Sequence, residues 1–340
     1  MKPFSGLPEE VVNRIRTGIV SQFATMSSAG VPIDTPSLYF PSEDLATIDL
    51  ATGLAYPAKA ERARKNPKVG LLIEGMPDQP VVSIAGLAAV ADADLQMNAE
   101  RYLAETAYTL PGGVSWEVAR PAIWYWTRII IKVAPQTVRW WDSPAAMDSA
   151  PHVWRAPADT PIPASDPAPA GAVSAAPNWG QRPWREQARG MLEMGAPGHL
   201  TLADSDGFPL PIQARGVELG DDGFVLDIPA GAPWGRQGKA TFTFEGRATF
   251  VGEVSDEGGK ARFVVERALP ALPLATDPRE LWAPAAETFN NLMRRLTHEA
   301  ERRGRPLPVL PEQLPPFTAG AQMRMAAIAA MGGPGLSGVE

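Results

Sequence analysis

The chain has 340 residues, of which 45% are hydrophobic and 20% charged, a composition typical of globular proteins and a length that predicts about two domains. Its net charge of -7 disfavours a general nucleic-acid binder, which would carry a basic face. The absence of cysteine excludes disulfides, thiol catalysis and Cys-ligated metal centres. The chain has neither an apolar run of about 18 residues nor an apolar signal core, so we expect a cytoplasmic protein without a membrane span.

The first half of the chain, residues 1–142, predicts a small β-rich domain. Its helices are expected at 8–17, 59–65 and 98–108. Its strands are expected at 21–26, 36–40, 46–50, 69–73, 81–90, 128–133 and 137–141. Six or seven short strands with few helices are typical of a closed barrel and not of a parallel α/β sheet.

Residues 143–178 predict a linker between the two halves. Eight of these 36 residues are Pro and eleven are Ala, and no apolar periodicity is present. Repeated Pro keeps the backbone extended and removes hydrogen-bond donors, so we expect an exposed segment that is sensitive to proteases. A second Pro-rich stretch opens the tail, residues 305–340, for which the sequence leaves two alternatives: one short helix at 319–331 or a disordered segment.

Residues 179–304 repeat the pattern of the first half. The segment 199–212 resembles 23–36 in the order of its apolar, Gly and Pro residues. The helix expected at 59–65 has no counterpart, because a loop rich in Gly and Pro, 229–239, stands in its place. This internal similarity predicts a tandem duplication with a degenerate second copy.

One alignment within the second half stays open, and one more helix is expected there. The segment 241–250 matches the first half in two ways, which place Gly246 either on Gly86 or on Gly75. The last helix is expected over 278–303, with a Pro at its first position.

One motif in the first half is specific: Lys59 begins a short helix seven residues before the pair Asn66-Pro67, and a strand follows directly. Through this motif and the segments 23–40, 47–75, 81–90 and 133–141, residues 19–142 resemble the pyridoxamine 5'-phosphate oxidase-like superfamily, the FMN-binding split β-barrels. The resemblance implies a mostly β fold with a few helices, in which two split β-barrel domains stand in tandem.

A phosphate site is expected at the start of the short helix. A Lys in the first turn adds positive charge to a helix end that already attracts anions, and the resemblance implies that Lys59 holds the phosphate of FMN. It also implies that Ser83 lies on the strand flanking the flavin ring. The cofactor-binding residues expected in this way are Lys59, Thr35, Ser37, Thr52, Ser83 and Trp141.

The sequence departs from the pyridoxamine phosphate oxidases proper at several functional positions. Thr35 and Phe40 stand where those enzymes have an Arg and a Lys, and Pro57 and Ala58 replace a Ser-Arg pair. Their C-terminal signature of Arg, His and Arg is missing as well. Oxidation of vitamin B6 is therefore not expected, and the resemblance implies an FMN-dependent oxidoreductase that acts on another small organic substrate.

Several alternatives stay open at this point. FAD or a deazaflavin is the alternative to FMN, and a haem- or other ligand-binding split barrel without redox catalysis of its own is the alternative function. His152, His199 and His298 are well separated, so no metal site is expected, and no catalytic acid or base stands out. We expect a homodimer or an intrachain pseudo-dimer, one cofactor per chain, and no nucleic-acid or membrane partner.

Overall fold

The computed structural model of the chain describes residues 4, 6–110, 113–175, 182–270 and 281–330. These residues form a mostly β protein with two seven-stranded antiparallel sheets, one in each half of the chain. The predicted fold class, two barrel domains in tandem with a few helices, is confirmed. In this part of the chain, no helix is both long and apolar enough to cross a lipid bilayer.

Most helices and strands predicted for the first half are present close to their predicted positions, and the structure adds several elements that the sequence analysis does not predict. The helices are α1 (Glu9–Thr17), α2 (Ala58–Lys65), α3 (Leu95–Thr106), α4 (Trp116–Ala119), α5 (Ile123–Trp126), α6 (Trp184–Glu193), α7 (Ala286–Arg302) and α8 (Ala319–Ala330). The first sheet contains β1 (Val20–Met26), β2 (Pro32–Pro41), β3 (Ile48–Gly53), β4 (Lys68–Ile73), β5 (Val81–Ala91), β6 (Arg128–Trp141) and β7 (His152–Arg155). The second sheet contains β8 (Gly198–Ala203), β9 (Pro209–Gln213), β10 (Gly216–Leu219), β11 (Gly223–Asp227), β12 (Gly238–Phe244), β13 (Ala248–Glu257) and β14 (Lys260–Ala268). The last predicted helix begins later than expected, at Ala286, and positions 278–280 lie outside the described residues.

The first sheet closes into a six-stranded barrel. Its strands follow the order β3-β2-β1-β4-β5-β6, and β6 pairs with β3 again, which removes both edges. Side chains alternate between the faces of a strand, and Phe23, Leu71, Ile84 and Val138, which lie opposite one another on β1, β4, β5 and β6, are buried in the barrel core. β7 pairs with β6 outside the closed barrel.

β6 is one continuous strand, where the sequence predicts two shorter ones. Pro135 lies inside it, at a point where the register against β5 shifts between Ala85 and Gly86. A Pro has no N–H group to donate to a neighbouring strand, and a bulge is one of the few interior positions that tolerate this loss. The strand therefore continues through the Pro and reaches Trp141.

The second sheet follows the strand order of the first barrel. β9, β8, β12, β13, β14 and β11 occupy the places of β2, β1, β4, β5, β6 and β3, and β10 pairs with β11. Between β9 and β10, Ala214 donates its N–H to the carbonyl of Gly198 on β8, and Arg215 donates its own to Asp227 on β11. The chain thus passes from one end of the sheet to the other at this corner. Residues 229–237, in the place of α2, form no helix.

Residues 241–250 form parts of a hairpin, β12 and β13, and not one strand. Glu245 and Gly246 make its turn, with φ angles of 49° and 70°. They follow β12 as Glu74 and Gly75 follow β4. Of the two alignments that the sequence leaves open, the structure therefore matches the one that pairs these two dipeptides.

The two barrels pack against each other through the outer faces of their strands, with β1, β2 and β4 of the first against β8, β9 and β12 of the second. A Cβ atom at Gly70 would overlap the carbonyl oxygen of Pro209, so the backbones approach as closely as only a Gly permits. Across the same contact, Arg139 Nη2 lies 3.2 Å from Asp204 Oδ2. The second barrel therefore covers one side of the first.

The second part of the predicted linker, residues 157–175, runs over the first barrel, and we call it the arm. Most of its side chains are exposed, as its composition predicts, yet it is anchored at its middle, by Asp166, and near its end, by Ser174. Asp166 Oδ2 accepts hydrogen bonds from the N–H groups of Asp92 and Ala93 at 2.7 and 2.8 Å. The N–H of Ser174 donates to a glutamate on α7. These bonds hold the arm between the barrel and α7.

α7 returns from the second barrel to the first. Its buried Leu292 belongs to the core of the first barrel, together with Trp282, whose ring stacks on Trp126 with 5.5 Å between the centroids. α8 also docks there, through an ion pair of 2.5 Å between Arg324 and Glu105. The chain thus forms the first barrel, then the second, and its last helices, α7 and α8, pack against the first barrel again.

Candidate functional site

Lys59 lies in the first turn of α2, where the sequence predicts a phosphate site. Its Nζ donates to Ser37 Oγ at 2.7 Å and to the carbonyl oxygen of Pro36 at 3.4 Å. The N-cap residue of α2 is Pro57, and no described side chain caps this helix end. The ammonium group therefore lies beside a helix start whose first N–H groups have no side-chain acceptor, an arrangement that favours an anion.

Thr35 and Ser37 face the same side of β2, because they are two residues apart on a strand. Ser37 contacts Lys59, whereas the buried hydroxyl of Thr35 has no hydrogen-bond partner among the described residues. Leaving such a group unpaired costs about 1–3 kcal/mol, so this position favours a ligand atom or an ordered water. The structure thus places three of the six predicted residues along one stretch of β2 and α2.

The other three predicted residues are used elsewhere. Thr52 Oγ1 donates to the carbonyl of Tyr56 at 3.4 Å, within the turn that leads from β3 into α2. Ser83 is fully buried on the face that meets the second barrel. Trp141 belongs to the apolar core that the second barrel forms with the outer face of the first, and its Nε1 donates to the carbonyl of Ser149 at 3.0 Å. The last two therefore lie on the opposite face of the barrel wall from the predicted phosphate site.

Arg62 is a cation beside this site that the sequence analysis does not single out. It follows Lys59 by three residues on α2, and its Nε donates to the Thr25 hydroxyl at 2.7 Å. Burial lowers the pKa of Arg62 to about 10, and no carboxylate in the described part of the chain pairs with it. A half-buried cation without a counter-ion favours an anionic ligand. The one signal for Arg62 in the sequence is its spacing of three residues from Lys59, which makes the two side chains neighbours on the surface of a helix.

An open cleft of about 540 Å³ lies between α2 and the hairpin formed by β1 and β2. It is lined by Met26, Ser27, Ser28, Gly30, Glu61, Arg62, Lys65 and Asn66. The carboxylate of Glu61 is engaged by α7, since Arg302 and Arg303 lie 3.3 and 3.6 Å from it. The cleft therefore offers two cations, two hydroxyls and an amide to a ligand.

A buried charged cluster lies where the two barrels meet. His199 Nε2 lies 2.9 Å from Glu74 Oε2. Burial raises the pKa of Asp34 to about 6, against the opposing effect of the His199 and Lys59 charges. Burial on its own would lower the pKa of His199, but the charge of Glu74 outweighs it and the net shift is upward. Asp34 and His199 are at most 1% exposed. Their charges therefore interact with other groups at the contact between the barrels and not with solvent.

The other two histidines have separate partners. His152 stacks on Trp140 and lies 3.6 Å from a carboxylate oxygen of Asp142. His298 contacts the carbonyl of Ala172 at 3.1 Å. Within the residues that the structure describes, no group of three or more His, Asp or Glu side chains is placed to hold a metal ion.

Comparisons with known proteins find similarity among solved structures. No family model and no curated protein matches the chain. General stress protein 26 from Bacillus anthracis is 18% identical over 44% of this chain and 97% of its own, with a TM-score of 0.30. A pyridoxamine 5'-phosphate oxidase-related, FMN binding protein from Nostoc punctiforme is 11% identical over 41% and 85%, and an F420 reductase is 15% identical over 40% and 100%, each with a TM-score of 0.32. Each of these similarities thus covers between 40% and 44% of this chain.

Proposed function

We propose that this chain binds a flavin-type cofactor by its phosphate at the start of α2 and uses it to oxidise or reduce a small organic substrate. The observation that carries the proposal is the contact of 2.7 Å between Lys59 Nζ and Ser37 Oγ, on the same strand face as the unpartnered hydroxyl of Thr35. FMN is the simplest cofactor that satisfies this site, because it carries a single phosphate.

A phosphate suits these groups for physical reasons that reinforce one another. Lys59 supplies the positive charge, and the first turn of α2 supplies N–H groups whose dipoles favour an anion. The Thr35 and Ser37 hydroxyls are further donors, and a phosphate oxygen would give Thr35 the partner that it lacks. Charge-assisted hydrogen bonds of this kind are about twice as strong as neutral ones.

The part of the chain in the reaction is to bind and orient. A bound flavin supplies the hydride or single-electron chemistry. Lys59 and Ser37 fix the phosphate between the start of a helix and a barrel strand, which are rigid elements, and so set where the ring lies. Asp34 and His199 are too deeply buried to exchange protons with a substrate, so neither is assigned as acid or base.

The second barrel takes the place of a second subunit in this proposal. Pro36, whose carbonyl accepts a hydrogen bond from Lys59, touches the turn between β12 and β13. A Cβ atom at Gly246 of that turn would come within 2.7 Å of Pro36 Cδ, so the approach requires a Gly. This close approach supports an intrachain pseudo-dimer in place of a homodimer.

Replacing Lys59 with Ala tests the phosphate assignment. Loss of a charge-assisted contact is expected to cost about 1.5–3 kcal/mol, or roughly tenfold to a hundredfold in affinity for FMN. The measurement is flavin titration of the purified variant, together with the absorption spectrum of the wild-type protein. Lys260→Ala is the control, because this Lys is about half exposed on β14 and pairs with Glu218.

Equal FMN affinities for the two variants would overturn the phosphate site. A Soret band in place of flavin bands in the purified wild-type protein would favour the haem-binding alternative over the proposed function.

A further inference from the structure

We infer that the binding site continues from the first phosphate into the cleft between α2 and the hairpin of β1 and β2, where Arg62 and Lys65 bind a second anionic group in the tail of the cofactor. The inference rests on the proposed function and deepens it, because it concerns which flavin-type cofactor the chain selects. The shared chemistry is an anion beyond the ribityl phosphate: a further phosphate in a dinucleotide, or a carboxylate in the tail of a deazaflavin.

The cleft lies further along α2 than Lys59, because its α2 lining begins at Glu61. Arg62 is three residues after Lys59, which corresponds to a rise of about 4.5 Å along α2. Thr25, which accepts the hydrogen bond from Arg62, pairs with Ile33, and Ile33 is two residues from Thr35 on the same strand face. A tail that leaves Lys59 along the helix therefore meets Arg62 next.

Arg62 has donors that the fold does not use. Its Nε bonds to Thr25, and the terminal nitrogens make no hydrogen bond to any residue that the structure describes. Its neighbour Arg64 differs, because that side chain forms an ion pair of 2.8 Å with Asp92. The planar fork of a guanidinium matches both phosphate and carboxylate oxygens. A second anion would thus provide the counter-charge that Arg62 lacks.

The rest of the cleft suits a polar tail. Its volume of about 540 Å³ lies within the usual range for ligand sites, roughly 300–1,000 Å³. Lys65 adds a second cation, and Ser28 and Asn66 add a hydroxyl and an amide. Gly30 turns the hairpin with a φ of 73°, and a Cβ atom there would meet nothing within 4 Å, so the wall is open on that side. The acidic side chain that lines the cleft, Glu61, is paired with Arg302 and Arg303, and this pairing reduces its repulsion of an incoming anion.

Titration of the wild-type protein and of Arg62→Gln tests the inference. The probes are FMN, FAD, and a deazaflavin with and without its carboxylate tail. We expect the second anionic group to raise the affinity of the wild-type protein about tenfold, and Arg62→Gln to remove this gain while it changes the FMN affinity less than about threefold. A gain for FAD alone identifies a phosphate, and a gain for the tailed deazaflavin alone identifies a carboxylate.

Two further variants make the result decisive. Arg16→Gln, at an exposed position of α1, is the control for a lost positive charge and should leave every affinity unchanged. Lys65→Ala lies at an exposed position of the cleft and replaces Arg62→Gln if that variant does not fold; it should reduce the gain about twofold to threefold.

The inference is overturned if the wild-type protein binds FMN as tightly as both extended cofactors, or if Arg62→Gln weakens all probes equally. Absence of binding for all four probes would instead overturn the proposed function itself.

Discussion

At Asp34 the charge of a side chain conflicts with its place in the fold. The carboxyl group is fully buried, and burial raises its pKa from 3.8 to about 6. The Asp34 carboxyl group therefore binds its proton more tightly in the folded protein than in the unfolded chain. The contribution to stability is complete below the unfolded pKa and is lost as the pH rises from about 4 to 6. Two pKa units correspond to about 3 kcal/mol.

Asp34→Asn should remove this dependence on pH. Near pH 4 the variant and the wild-type protein should have similar free energies of unfolding, and by about pH 7 the variant should be more stable by up to about 3 kcal/mol. Urea unfolding at several pH values measures the difference. Asp221→Asn, at an exposed position, is the control. A difference between Asp34→Asn and wild type that stays constant with pH would contradict the assignment.

Single residues differ in how far the sequence predicts their roles. Lys59 is predictable because its motif lies within one helix and its flanking strand, and its place at the start of α2 agrees with the prediction. Ser83 and Trp141 follow only from the resemblance, which does not say which strand face the second barrel covers. Arg62 and Asp34 are missed, because their surroundings come from segments remote in sequence: the hairpin for one and the second barrel for the other.

Among the elements, α7 is joined to the first barrel by a buried network of ion pairs. Glu299 is fully buried, and its Oε2 lies 2.6 Å from Arg302 and 2.7 Å from Arg303. Arg303 also lies 2.9 Å from Asp92 at the end of β5. Burial opposes the charge of Glu299, but hydrogen bonds from Ser174 and Arg303 outweigh it and lower its pKa. This carboxylate therefore stabilises the fold above its ordinary pKa, and the contribution is lost as the pH falls below it.

Glu299→Ala should destabilise the protein by about 3–5 kcal/mol, because it leaves Arg302 and Arg303 buried with fewer counter-charges. Urea unfolding near neutral pH measures the loss. Glu301→Ala, exposed on the same helix, should change the stability by less than about 0.5 kcal/mol. If both variants lose the same small amount, the network does not hold α7 in place.

The arm is the element for which composition and structure lead to different expectations. Its Pro and Ala content predicts an open, protease-sensitive linker, whereas Asp166 ties its backbone to the first barrel. Asp166→Ala removes the acceptor for two N–H groups and should speed limited proteolysis within 157–175 by about tenfold. Asp159→Ala, exposed on the same segment, is the control. Equal cleavage of the wild-type protein and both variants would favour the open linker.

The sequence also predicts the ends of some helices and strands better than those of others, and it does not always indicate what an element packs against. Local patterns predict β4, β5 and α2 to within one residue, because each has a clear apolar period and a clear stop. β6 is predicted as two strands, since Pro135 reads as a break until the bulge against β5 is known. The apolar face of α7 predicts burial but does not say against which barrel.

For the whole molecule, one cofactor per chain is the expected stoichiometry. The second sheet repeats the strand order of the first barrel but has no helix in the place of α2. It therefore has no equivalent of the start of α2 or of Lys59. Arg236 is the nearest substitute in that loop, and it bonds to the carbonyl of Ile228. Denaturation of saturated protein and quantification of released flavin should give about one per chain. Two per chain would mean that the second barrel holds a site of its own.

The return of α7 to the first barrel gives the order of synthesis a physical consequence. The indole of Trp126 is made early, yet the ring that stacks on it, Trp282, follows about 150 residues later. At about 5–20 residues per second, a ribosome needs roughly 8–30 s to cover that distance. Contacts of such long sequence separation also form slowly. During this interval the nascent first barrel exposes apolar surface around Trp126 that Trp282 and α7 cover in the finished protein.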